Sequence, residues 1–150
     1  MRIEEEIRQK KFKSEYIKAD INVMFSANWI SARQSNMLKP YDISIQQFNI
    51  LRILRGQHPK PAPLKLLTER MIDRMSNTSR LVEKLKKKGL VTRRVCETNR
   101  RQVDISITDK GLALVEEASG LIEGEREKSR NLTSEEVKQL NRLLDKMRGS

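Results

Sequence analysis

At Gly89 the spacing of apolar residues changes from helical to strand-like, and few architectures accommodate that change where it falls. Ahead of it, Leu81, Val82 and Leu85 recur at helical spacing. They predict a helix over roughly Arg74 to Lys88, with Asp73 as N-cap and Gly89 as the stop. Beyond it, Leu90 to Val95 can extend as one strand. Val103, Ile105 and Ile107 then alternate with Gln102, Asp104, Ser106 and Thr108, the period of a half-buried strand. Cys96 to Arg101 forms a polar tip between the two strands. Upstream, Pro63 suits the first position of a short helix reaching about Arg70, and Met71–Asp73 supplies a turn. Two helices across a short turn, then strand, charged tip and strand, predict a helix-turn-helix followed by a wing.

The flanks are helical. Ile3 to Met37 holds no proline or glycine, and Phe12, Tyr16, Ala19, Val23, Ala27 and Ile30 recur every three or four residues. One long amphipathic helix is the expectation, ended by Lys39-Pro40. Ser44 and Gln47 form a capping box, with Ile43 and Phe48 placed as a staple, for a helix running through Leu51 and Leu54 to Gly56. After the wing, one helix starts near Thr108–Asp109 and carries Leu112, Val115, Ala118 and Ile122, with Gly120 and Gly124 weakening its later turns. A last one starts at the capping box Thr133-Ser-Glu-Glu and carries Val137, Leu140, Leu144 and Met147. The expected fold class is mostly α with a small β-hairpin wing (α+β), as one domain over residues 1–150. Residues of about 44–108 make the winged helix-turn-helix lobe. Terminal helices of about 1–38 and 109–150 make a dimerisation region, because apolar stripes that a small lobe does not use require a partner. Folding back on the monomer is the alternative.

Charge narrows the function. The 150 residues carry a formal net charge of +11, which calls for an anionic partner. Nucleic acid comes first and an anionic membrane surface second. No apolar run approaches the roughly 18 residues that span a bilayer. MRIEEEIRQKKFKSE has no signal-peptide core, and Cys96 is the single cysteine, so a reducing, cytoplasmic location is expected. The only histidine, His58, lies in the loop GQHPKPAP, leaving no metal-binding cluster and no hydrolytic triad. No catalytic residue, metal or cofactor is expected. Aromatic residues are 4% of the chain, too few for a base-stacking platform.

The cations concentrate where the elements predict an interface. Arg80 to Arg101 holds nine basic residues against Glu83 and Glu97, a net +7. A helix in the major groove offers its first turns to base edges, which calls for short polar side chains and arginine. Ser76, Asn77, Thr78, Ser79 and Arg80 fill that stretch, although serine and asparagine also suit any helix start. Lys84 and the run Lys86-Lys87-Lys88 can neutralise phosphates without reading sequence, or simply complement the C-terminal end of the helix dipole. Arg94 lies on the first wing strand, and Asn99, Arg100 and Arg101 at the tip, from which arginine can reach a minor groove.

With these residues in order, Ser44 to Glu117 resembles the MarR family of bacterial winged-helix regulators. The best-matching stretch is NTSRLVEKLKKKGLV, Asn77 to Val91. The wing leading into Asp109-Lys110-Gly111 resembles the family's wing-to-helix passage. The resemblance implies homodimers with intertwined terminal helices and two lobes straddling a near-palindromic operator in double-stranded DNA. It implies a recognition helix in the major groove and a wing arginine, here Arg101, in the minor groove. Where the family carries an aspartate two residues before that arginine, this chain has Asn99, which removes a carboxylate brace. The resemblance also implies, as a further partner, a small aromatic or anionic effector in a cleft between dimer helices and lobe. Tyr16, Met24, Trp29 and Phe48 are candidates to line it, and a place in the core is the alternative for each. Cys96 sits among arginines that would lower its pKa, or is a passive wing residue. A homodimeric repressor is the leading reading. A non-specific architectural nucleic-acid binder and a helical protein-interaction module remain as alternatives.

Overall fold

The computed structural model describes residues 1–128 and 130–149. Among the described residues, seven α-helices and three strands follow one another as α1 (Ile3–Glu6), α2 (Glu15–Leu38), α3 (Ile45–Gln57), β1 (Ala62–Pro63), α4 (Leu64–Arg70), α5 (Thr78–Lys87), β2 (Val91–Val95), β3 (Val103–Ile107), α6 (Asp109–Lys128) and α7 (Ser134–Met147). The strands form one antiparallel sheet in the order β1-β3-β2. Two compact units are distinguished, Met1–Ala118 and Ser119 onward, and α6 begins in the first and ends in the second.

The long N-terminal helix expected from periodicity is broken. Arg8 takes a left-handed conformation (φ 54°), and the helix restarts only where the Ser14 side chain accepts the Ile17 amide at 3.3 Å. Glu4 and Lys18 pair at 2.6 Å across the break. The Lys18 hydrogen bond holds the Glu4 carboxyl below its ordinary pKa. The absence of proline and glycine from Ile7 to Ser14 concealed the break, because a serine cap acts on backbone amides and leaves no mark on the apolar pattern.

Elsewhere local chemistry fixes the boundaries. α2 stops at Leu38 and a single 3-10 turn, Lys39–Tyr41, carries Pro40 into Asp42. The Ser44 hydroxyl accepts the Gln47 amide at 3.1 Å while the Gln47 side chain accepts the Ser44 amide at 2.9 Å, the reciprocal box expected at this start. Gly89 ends α5 at φ 72°, which a side chain would strain. Pro63 precedes α4 instead of opening it, because Ala62–Pro63 pairs with Ile105 and Asp104 as a third strand.

The core of the first unit is apolar and closed. Leu38, Ile50, Leu51, Leu54, Leu67, Val82, Leu85, Leu90, Val91, Ile105 and Val115 are all fully buried. Each such side chain contributes about 1.5–3 kcal/mol relative to exposure, so this cluster holds α3, α4, α5 and the sheet together. Thr108 fastens the wing to α6: its hydroxyl donates to the Gly89 carbonyl at 2.7 Å and accepts the Gly111 amide at 3.1 Å. Gly111 is obligatory here. A β-carbon would strike the Leu90 carbonyl oxygen and lie 2.8 Å from Ile107 Cγ1.

In the second unit α7 has the predicted capping box, Thr133 with Glu136, whose carboxyl the Thr133 amide and hydroxyl hold below its ordinary pKa. It buries nothing: Val137, Leu140, Leu143 and Met147 are exposed.

Candidate nucleic-acid interface

The turn ahead of α5 is built by side chains. Asp73 Oδ1 accepts the Met75 amide at 3.0 Å, and the Asp73 carbonyl accepts the Ser76 amide at 3.2 Å. Gln46 Nε2 donates to Asp73 Oδ2 at 3.3 Å, Asn49 Oδ1 accepts the Ile72 amide at 3.0 Å, and Arg74 donates to the Glu69 carbonyl. The Met75 amide, then Gln46, hold the Asp73 carboxyl below the usual carboxylate range. Asp73 is therefore not the N-cap expected of it. An aspartate that bonds the amide two residues on closes a turn, and the helix begins at Thr78. Asn77 takes the cap, accepting the Arg80 amide at 3.1 Å.

This start sorts the candidate side chains. Asn77, Ser79, Arg80 and Lys84 are exposed, and Ser76 is half-buried. Thr78 is 5% exposed, so it is corrected from a presenting residue to a packing one: the helix face that carries Val82 and Leu85 inward carries Thr78 with it. Leu81 on that helix is only half-buried.

The wing is a ladder with Arg94 opposite Asp104 and Val95 opposite Val103. At its tip the Cys96 amide donates to the Gln102 carbonyl and the Gln102 amide to the Asn99 carbonyl, both at 2.9 Å. Asn99 Oδ1 accepts the Arg101 amide at 3.2 Å. The asparagine thus braces the backbone of Arg101. Arg94, Asn99, Arg100 and Arg101 are exposed. Asn99 and Arg101 also line an open cleft of about 670 Å³ between the tip and α4, with Lys65, Thr68 and Glu69 opposite. The Cys96 thiol pKa is lowered by the Thr98 hydroxyl, 3.2 Å away, and by the Thr98 and Asn99 amides; the neighbouring arginines expected to lower it are not the cause.

Ion pairing divides the cations. Arg93 pairs with Glu83 at 3.4 Å and ties β2 to α5. Lys88 pairs with Asp42 Oδ2 at 3.0 Å and also bonds the Asp42 carbonyl, so it serves the fold and leaves the set of phosphate-facing lysines. Among the described residues, Arg80, Lys84, Arg94, Arg100 and Arg101 hold no ion pair. Their charge is available to a ligand.

The effector candidates separate. Phe48 is 4% exposed and belongs to the core, whereas Tyr16, Met24 and Trp29 are 86%, 59% and 55% exposed on α2. A core location fails for these three because α2 stands exposed nearly all round between Glu15 and Ala32. An open cleft of about 510 Å³ lies elsewhere, lined by Lys39, Ser44, Gln47, Lys84 and Lys87 among others, and by none of the four. Two large apolar side chains that sequence reasoning leaves aside, Ile72 and Met75, stand exposed on the turn before α5. The available signal was apolar residues in an otherwise polar turn. Among the described residues no group of histidine, cysteine and carboxylate side chains could hold a metal, and no helix is long and apolar enough to cross a membrane.

Similarity to known proteins follows the same elements. The model of the MarR family matches residues 43–103, from the start of α3 to β3. The HTH-type transcriptional regulator MgrA of Staphylococcus aureus is 32% identical over 113 residues, covering 75% of this chain and 75% of that protein. A solved MarR transcription factor from Planctomyces limnophilus superimposes with a TM-score of 0.66 at 28% identity, over 90% of this chain and 98% of that one. A cysteine-to-serine mutant of MarR from E. coli, solved in complex with operator DNA, superimposes at 0.77 with 24% identity, over 92% and 99%. With its winged helix-turn-helix and these relatives, the chain belongs to the MarR family of transcriptional regulators.

Proposed function

We propose that the chain is a cytoplasmic, homodimeric repressor that reads a near-palindromic operator in double-stranded DNA. The observation that carries this reading is the set of exposed cations without ion pairs, among the described residues, at the start of α5 and on the wing. Asn77, Ser79 and Arg80 reach base edges, Lys84, Lys87 and Arg94 meet phosphates, and Arg100 and Arg101 enter a minor groove. The exposed apolar faces of α2 and α7 support dimerisation, since exposed stripes of this kind mark an interface. The lysine-lined cleft between the α2 end and α5 supports a small anionic effector that releases the DNA. A regulator and not an enzyme is what family membership gives.

Selection from a random duplex library at near-physiological salt tests this reading. The expected result is an enriched inverted repeat, half-sites about one helical turn apart, bound about a thousandfold more tightly than a scrambled duplex. Steeply salt-dependent binding to every sequence without enrichment would leave an architectural binder. No binding at moderate salt would favour the protein-interaction module.

A further inference from the structure

Large apolar side chains are exposed in several places among the described residues, Val95 on β2 and Leu121 on α6 included, and two settings contrast most. On α2 and α7 they recur along helix faces, as a helical interface requires. Ile72 and Met75 do not. They are 87% and 93% exposed, more than any apolar residue of α7, and they stand on a short turn flanked by cations. A fully solvated methionine and isoleucine gain nothing for the fold, yet the turn that presents them is fixed at several points. The Met75 amide is held by Asp73, the Ile72 amide by Asn49 of α3, and Asp73 itself by Gln46. Little backbone order remains to be lost when something packs on this turn.

The kind of partner follows from size and neighbours. Two side chains are far short of the roughly 1,000 Å² that a stable protein interface buries. Met75 lies two residues before the Asn77 cap, where α5 offers its amide end, and Arg74 and Arg80 flank it in sequence. A helix entering the major groove brings the residues just ahead of its cap to the groove wall. The apolar group that B-DNA displays there is the C5-methyl of thymine. Methionine is unbranched and adapts its shape to such a small apolar surface.

We propose that Met75, with Ile72 on the same turn, packs against a thymine methyl in each half-site, so that the turn before α5 reads sequence as well as α5 itself. The inference rests on the DNA-binding reading above. It is tested with the full chain and the selected operator by replacing each thymine in turn with deoxyuridine, which removes only the methyl. At one position of the half-site, deoxyuridine is expected to weaken the wild-type protein about fourfold, the factor for one methyl taken out of an apolar contact. Met75→Ala is expected to bind the two duplexes equally at that position while keeping any penalty elsewhere, and Met75→Leu to retain the preference. Both positions are exposed, so these variants and Ile72→Ala are expected to melt with the wild type. Indifference of the wild type to every methyl would overturn the proposal, as would an unchanged penalty in Met75→Ala. Failure of the underlying reading looks different: the wild type would then prefer no selected duplex over a scrambled one.

Discussion

Helices α5 and α7 start from the same kind of sequence and end differently. Each has a polar side-chain cap, Asn77 in one and Thr133 in the other, and each gathers its apolar residues on one face. In α5 that face is consumed, with Val82 and Leu85 fully buried in the lobe. In α7 none of it is. An amphipathic pattern therefore specifies that a face will be covered but leaves the covering element unnamed. For α5 that element is in the same chain. For α7 and for the exposed face of α2, the homodimer proposed above makes that element a second copy.

The difference yields variants with separable effects. Leu85→Ala, at a site with no solvent exposure, is expected to cost about 2–5 kcal/mol and to lower the melting temperature of the whole lobe. A drop within measurement error would mean α5 is not seated as described. Leu140→Asp with Leu143→Asp on α7 is expected to spare the lobe and abolish self-association, read by sedimentation equilibrium. Operator affinity is expected to fall about a hundredfold as two linked contacts become one. A stable dimer in that variant would remove α7 from the interface. Asn77→Ala deletes the α5 cap and is expected to cost about 1 kcal/mol of unfolding free energy, read from denaturant melts, whereas Asp73→Ala leaves the cap intact. The smallest effect is acid-dependent. The Asp73 pKa is depressed in the folded chain, so its support of the turn is complete above its unfolded pKa and is lost as pH falls through the lower folded value. Amide exchange at Met75 is expected to accelerate over that acid window, and a rate that follows only the intrinsic pH dependence would contradict the turn.

Much of this was legible in the residues themselves. The boxes at Ser44 and Thr133, the stop at Gly89 and the alternation through Ile105 and Ile107 are short-range patterns whose physics is complete within a few residues. What escaped depended on contacts from afar or on competing local bonds. The break at Arg8 falls in a polar stretch, Arg8 to Lys11, with no proline or glycine to signal it. Pro63 reads as a helix start until β3 is there to pair with it. Asp73 could equally cap a helix or close a turn, and Gln46 from α3 stands with the turn. Lys88 reads as one of three phosphate-facing lysines until Asp42 is seen beside it. In the interface, polar type and position were visible in Asn77, Ser79 and Arg80. The burial of Thr78 and the exposure of Met75 required the helix start to be known.

In the function proposed above, the first turn of α5 reads base sequence while its later lysines only neutralise phosphate. The most direct test is the ratio of affinities for operator and scrambled duplex, measured for the wild type, Arg80→Ala and Lys87→Ala at one salt concentration. Arg80→Ala is expected to narrow the ratio by roughly 1–3 kcal/mol, while Lys87→Ala weakens both duplexes equally and leaves the ratio unchanged. An unchanged ratio in Arg80→Ala, or a ratio narrowed as much by Lys87→Ala, would contradict it.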